Sequence, residues 1–124
     1  MNRYDLDILL IEDNPADAQL VREGIADAGL IGVALTHCET LAAALEVAGS
    51  ARFDVVYLDL GLPDSEGLES IAALKRVAPS LPIIVLTGND NQELASDAMR
   101  LGAEDFVAKG DLSGDALARR ALYA

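Results

Sequence analysis

One cysteine, Cys38, stands in a chain of 124 residues. No disulfide can form within the chain, so it is expected to hold together by packing alone, in a reducing, cytoplasmic setting. Long apolar runs are also missing, and without them no helix is expected to span a membrane. No charged-then-apolar leader precedes the first strand-like segment, "LDILLI". Basic residues are scarce: 9 Lys and Arg face 21 Asp and Glu, a formal charge of −12. Such a surface repels nucleic-acid phosphates and anionic membranes, so neither is expected as a direct partner. Linkers, internal repeats and low-complexity tracts are absent. What remains is a chain 52% apolar, long enough to bury a real core in one domain over residues 1–124.

Five β-rich runs alternate with five helix-like segments. The runs are "DILLI" (7–11), "VALTH" (33–37), "DVVYL" (54–58), "PIIVL" (82–86) and "DFVA" (105–108). The first, third and fourth are almost continuously apolar, as strands covered on both faces are. Between them, helical spacing aligns Ala18, Val21, Ile25 and Ala28, then Ile71, Leu74 and Ala78, then Leu94, Ala98 and Leu101. Stop signals follow at Gly29, Pro79 and Gly102. The alternation predicts an α/β fold, a doubly wound five-stranded parallel sheet with helices on both faces. A last segment pairs Leu117 with Ala121 and Ala118 with Leu122 and reaches Ala124 without a stop, as in a chain cut from a longer one whose helix continues.

Polar residues gather where the strands end. Glu12 and Asp13 follow the first strand, Asp59 the third, Thr87 the fourth and Lys109 the fifth. In a parallel sheet these ends share one edge, where ligands bind at the reversal of strand order; with order 2-1-3-4-5 the three carboxylates converge there. Taken singly each residue has a plain reading. Asp13 or Asn14 caps the helix that Pro15 begins, Asp59 starts a turn, Thr87-Gly88 is a loop, and Lys109 is solvated. Together those readings leave the clustered charge unexplained. Two carboxylates about 4 Å apart repel by roughly 4 kcal/mol at an effective dielectric near 20. Such a cluster calls for a cation, and an all-oxygen donor set with room for water suits Mg²⁺.

The set Glu12-Asp13, Asp59, Thr87 and Lys109, with "DLGLP", Gly67 and "GAEDFVAK", closely resembles the response-regulator receiver domain of two-component signalling, a CheY-like, flavodoxin-like fold. The resemblance covers the whole chain. It implies that Asp59 accepts a phosphoryl group from a sensor histidine kinase, a phosphotransfer protein or a small acyl phosphate. Glu12, Asp13, Asp59 and the backbone carbonyl of Gly61 are then the Mg²⁺ ligands, and Thr87 and Lys109 hold phosphoryl oxygens. It further implies a switch through Thr87 and Phe106, read by a downstream effector or a fused output domain on the face of the fourth helix, fifth strand and fifth helix. The chain would be a phospho-accepting switch that promotes only its own phosphorylation and dephosphorylation, rather than an enzyme with a separate substrate.

Two positions depart from the family pattern. Phe106 stands where many members have tyrosine, so any switching rests on packing alone; a phenylalanine there also suits a plain core strand. Gly110 follows Lys109 where proline is usual, which favours a trans bond. Gly61 and Asn89, beside the pocket, are expected to tune the lifetime of the phosphoryl group. His37 and Cys38 are neighbours on a strand, point to opposite faces and are expected to pack rather than chelate a metal. Two other classes stand beside the switch. An aspartate-nucleophile phosphohydrolase usually needs a second acid two residues on, where this chain has Gly61. A pure docking module has no use for clustered acids. A dinucleotide site is excluded because "IEDNPAD" has no glycine-rich turn.

Overall fold

Apolar runs bounded by turns become the strands, and the apolar stripes between them become the helices that cover the sheet. The computed structural model describes residues 3–27, 29, 31–65, 67–87 and 92–109. Along the chain these form β1 (Arg3–Ile11), α1 (Pro15–Asp27), β2 (Ile31–Cys38), α2 (Leu41–Ser50), β3 (Val55–Asp59), α3 (Glu69–Val77), β4 (Ile83–Thr87), α4 (Gln92–Arg100) and β5 (Asp105–Ala108). All neighbouring strands pair in parallel, in the order β2-β1-β3-β4-β5. The doubly wound sheet expected from the alternation is therefore present. The expected fifth helix, with Leu117, Ala118, Ala121 and Leu122, lies outside the described residues, as do Ala28, Gly88, Asn89 and Gly110.

The two faces of the sheet carry separate cores. On one, Leu9, Ile11, Val56, Leu58, Ile83 and Val85 pack against α2, α3 and α4 through Ala44, Ile71, Leu74 and Ala98. On the other, Ile8, Leu10, Tyr57, Ile84 and Leu86 pack against α1 through Ala18, Val21 and Ile25. The middle strands are buried on both sides, so β3 delivers its final residue to the sheet edge from a rigid support. β3 and β4 each run one residue further than the apolar pattern suggested. Asp59 still pairs with Leu86 and Thr87 with Ala108, because the ladder is a backbone property and does not stop at the first polar side chain.

The stripe expected along α4 needs correction at its end. Ala95 and Ala98 are buried, but Leu101 is 49% exposed. The helix ends at Arg100 in a Schellman motif: Gly102 N–H donates to the Met99 carbonyl at 3.2 Å and Ala103 N–H to the Ala98 carbonyl at 3.0 Å. Gly102 has φ +112°, which redirects the chain so that Ala103, not Leu101, turns into the core.

A loop carboxylate holds the start of α2. Asp64, in the β3–α3 connection, accepts from Leu41 N–H and Ala42 N–H, each at 2.9 Å, while Thr40 Oγ1 accepts from Ala43 N–H at 3.2 Å. These satisfy the first orphan donors of the helix. The Ala42 and Leu41 N–H groups hold the Asp64 carboxyl below its ordinary range.

Replacing Gly102 by alanine puts a Cβ on a residue with positive φ, and that Cβ falls 3.1 Å from Lys75 Cε. The lysine stem can shift, so backbone strain dominates. Gly102→Ala is expected to lower stability by about 1–2 kcal/mol, read from urea unfolding curves.

Candidate functional site

β1 ends in apolar core and the next residue is an acid with nowhere to go. Glu12 is fully buried. Its backbone is pinned on both sides: the N–H donates to the Cys38 carbonyl at 3.0 Å, and the carbonyl lies 2.7 Å from His37 Nε2 on β2, the distance of an imidazole N–H donation. His37 thus packs at the rim as a backbone anchor, while Cys38 faces the core and burial pushes its thiol pKa up. Glu12 Oε1 accepts from Asn14 N–H at 3.1 Å. Asp13 follows, exposed at the mouth. Asn14 is the N-cap of α1: its Oδ1 accepts from Ala16 N–H at 2.9 Å and Asp17 N–H at 3.2 Å, ahead of Pro15 at the first helical position.

Across the switch point, Asp59 ends β3 almost wholly buried. Gly61 N–H donates to its Oδ1 at 3.2 Å. A Cβ at position 61 would meet the two Asp59 oxygens at 3.7 and 3.8 Å, ordinary contact, so glycine is not required here by space; its effect is to leave the carboxylate uncovered. One oxygen each of Glu12, Asp13 and Asp59 lies within 4.8 Å of the others. The convergence expected from the strand ends is therefore real.

Lys109, directly after β5, reaches into this cluster. Its Nζ lies 3.0 Å from Glu12 Oε2, 3.3 Å from Asp59 Oδ1 and 2.9 Å from Asp17 Oδ2. The plain solvated reading of this lysine is overturned. Burial would lower its pKa, but the surrounding carboxylates of Asp17, Glu12 and Asp59 outweigh that and raise it, so the ammonium stays charged. Asp17 was not legible as a site residue. In "NPAD" it reads as a first-turn acid that favours the helix, and only the folded chain shows its partner, 92 residues away.

Thr87 ends β4 beside Ala108 at the same sheet edge. Phe106 is 40% exposed on β5, which overturns its reading as a plain core residue and leaves it turned outward.

The donor set fits a hard divalent cation. It is all carboxylate oxygen, it mixes buried and exposed ligands, and Glu12 Oε2 has no hydrogen-bond donor aligned on it although it is fully buried. Burial, reinforced by contact with Asp59 and opposed by Lys109 and Asn14 N–H, raises the Glu12 pKa from 4.5 to about 7. A carboxyl whose folded pKa lies above its unfolded one stabilises the fold below the unfolded value and loses that contribution as pH rises through the folded value. In EDTA, wild-type stability relative to Glu12→Gln is therefore expected to fall between pH 4.5 and 7, by up to about 3 kcal/mol; urea unfolding at pH 5 and pH 8 measures the difference.

The comparisons with known proteins agree with this geometry. The profile described as response regulator receiver domain matches residues 8–119. The swarming motility regulation protein RssB of Serratia marcescens is 36% identical over 104 residues, covering 84% of this chain and 46% of that protein. The chain thus spans about half the length of this curated relative. The crystal structure of the receiver domain of NtrX from Brucella abortus superposes with a TM-score of 0.82 at 31% identity, covering 95% of this chain and 99% of that one. The receiver domain of the sensor histidine kinase PA1611 from Pseudomonas aeruginosa, described with a magnesium ion coordinated in its active-site cleft, gives 0.80 at 25% identity and covers 95% of each chain. A parallel 2-1-3-4-5 sheet with an acid cluster and a lysine at its edge, matched along nearly its whole length, identifies the chain as a member of the response-regulator receiver domain family of two-component signalling.

Proposed function

We propose that Asp59 is the phosphoacceptor of this receiver domain. One observation carries the reading: a carboxylate fixed at the end of a buried strand, with an ammonium 3.3 Å away and two more acids within 4.8 Å. In phosphotransfer an Asp59 oxygen bonds to phosphorus as the P–N bond of a phosphohistidine, or the P–O bond of an acyl phosphate, breaks. The electron pair leaves with the imidazole or the carboxylate. Glu12, Asp13, Asp59 and the Gly61 carbonyl would hold Mg²⁺, which when bound offsets charge on the transferring group. Lys109 supplies the second positive charge, and the Thr87 hydroxyl binds a phosphoryl oxygen. Promotion of its own phosphorylation and dephosphorylation is the extent of its catalysis.

The added negative charge next to Lys109 changes which conformation is preferred. With Thr87 drawn toward the phosphoryl group, Phe106 turns inward from its exposed position, reshaping the face of α4, β5 and the fifth helix expected from the sequence. Moving the domain from 1:99 to 99:1 takes about 5.5 kcal/mol of differential stabilisation, so phosphorylation biases an existing equilibrium without needing to complete the shift. The donor is a sensor histidine kinase or a phosphotransfer protein, and the reader a downstream effector or a fused output domain, in the cytoplasm. Gly61, next to Asp59, and Asn89, as the resemblance implies, tune the lifetime of the new bond through access of water. None of the helices among the described residues is long and apolar enough to cross a membrane.

Incubation with Mg²⁺ and acetyl phosphate, followed by mass spectrometry of proteolytic fragments, is expected to find a phosphoryl adduct on Asp59. Asp59→Asn abolishes it, and Lys109→Ala lowers its yield about tenfold or more. An undiminished adduct in Asp59→Asn, or no adduct from either acetyl phosphate or a cognate kinase, overturns the reading.

A further inference from the structure

Asp17 takes the shortest contact that Lys109 makes. The Nζ–Oδ2 distance is 2.9 Å and the pair is aligned as a hydrogen bond, against 3.0 Å to Glu12 Oε2 and 3.3 Å to Asp59 Oδ1. The helix cap explains why this carboxylate is available. In a capping box the side chain three residues after the N-cap folds back to accept from the cap's own backbone N–H, as a Glu or Gln does. Here the Asn14 N–H is already taken by Glu12 Oε1 at 3.1 Å. Asp17 is thereby released from capping and turns across to the lysine. Its backbone is fixed by the N–H bond to Asn14 Oδ1, and α1 is seated on the sheet by Ala18 and Val21, so the carboxylate is held by a rigid element.

We propose that Asp17 is a positioning residue that acts through Lys109: it holds the ammonium toward α1 in the resting domain and competes for it with a phosphoryl group on Asp59. The inference rests on Asp59 being the phosphoacceptor. One ammonium has three donors to share among Asp17, Glu12, Asp59 and any phosphoryl oxygens. Each interaction kept with Asp17 is withheld from the phosphorylated carboxylate. Removing the Asp17 charge frees Lys109 to neutralise the phosphoryl oxygens as water attacks phosphorus and the bond to the Asp59 oxygen breaks, so the acyl phosphate hydrolyses faster.

The test is the decay of phospho-Asp59 after removal of donor, followed by mass spectrometry in wild type, Asp17→Asn, Asp17→Ser, Asp17→Glu and Glu23→Gln. Glu23 lies on the same helix, exposed, with its carboxylate on Gln19, and controls for loss of one negative charge. The half-life is expected to shorten about three- to tenfold in Asp17→Asn and Asp17→Ser, a factor of ten corresponding to about 1.4 kcal/mol. It is expected to return toward wild type in Asp17→Glu and to stay unchanged in Glu23→Gln. An unchanged or longer half-life in both uncharged variants, or equal shortening in Glu23→Gln, overturns the role of Asp17 while leaving Asp59 as phosphoacceptor. Failure of the wild type to accept a phosphoryl group from any donor overturns both readings.

Discussion

A single ammonium holds the acidic edge of this sheet together. Glu12 and Asp59 are buried beside one another, with Asp13 at the mouth and Asp17 across from them. Like charges at such distances oppose folding, and desolvation adds to the cost. Lys109 meets three of the four carboxylates within 3.3 Å. Burial pushes Glu12 toward its neutral form, and the lysine pulls it back toward the charged one. The pocket is left with an excess of negative charge, which is the condition for drawing in a divalent cation. A site fully neutralised by its own lysine would have no such pull.

The fold makes that arrangement rigid at little expense. β1 and β3, adjacent at the point where strand order reverses, are buried on both faces, so their last residues stand on fixed supports. Backbone bonds to Cys38 and His37 fix Glu12, and Gly61 N–H fixes one oxygen of Asp59. Lys109 arrives on the far side from β5. The carboxylates therefore belong to the central strands, while the cation comes from the edge of the sheet. This places the positive charge on the part of the sheet next to the face proposed to change on phosphorylation.

Much of this was legible before folding because strand ends are marked twice, by the stop of an apolar run and by the polar residue that follows. Glu12, Asp13, Asp59, Thr87 and Lys109 could all be named on that basis. The misreadings share a cause: local patterns do not report backbone geometry or distant partners. Leu101 continued the α4 stripe on paper, but the positive φ of Gly102 turned the chain and put Ala103 inside. Asp59 and Thr87 looked like residues after their strands, yet their backbones still pair. Asp17 and Asp64 carry no sequence signal beyond that of a helix-start acid and a turn acid. Their partners are Lys109 and the first turn of α2, remote in sequence in both cases.

The Asp64 cap ties together two crossovers that the sequence keeps apart. Leu60 and Leu62 are buried, Asp64 grips the first turn of α2, and Ser70 Oγ donates to Ser65 Oγ at 2.8 Å at the head of α3. The segment after Asp59 is thus clamped at both ends, to one helix that precedes it and to another that follows. The connection on this side of Asp59 is therefore braced against two helices, so that a force on the end of β3 is shared with the heads of α2 and α3, while Lys109 meets the carboxylate from the β5 side.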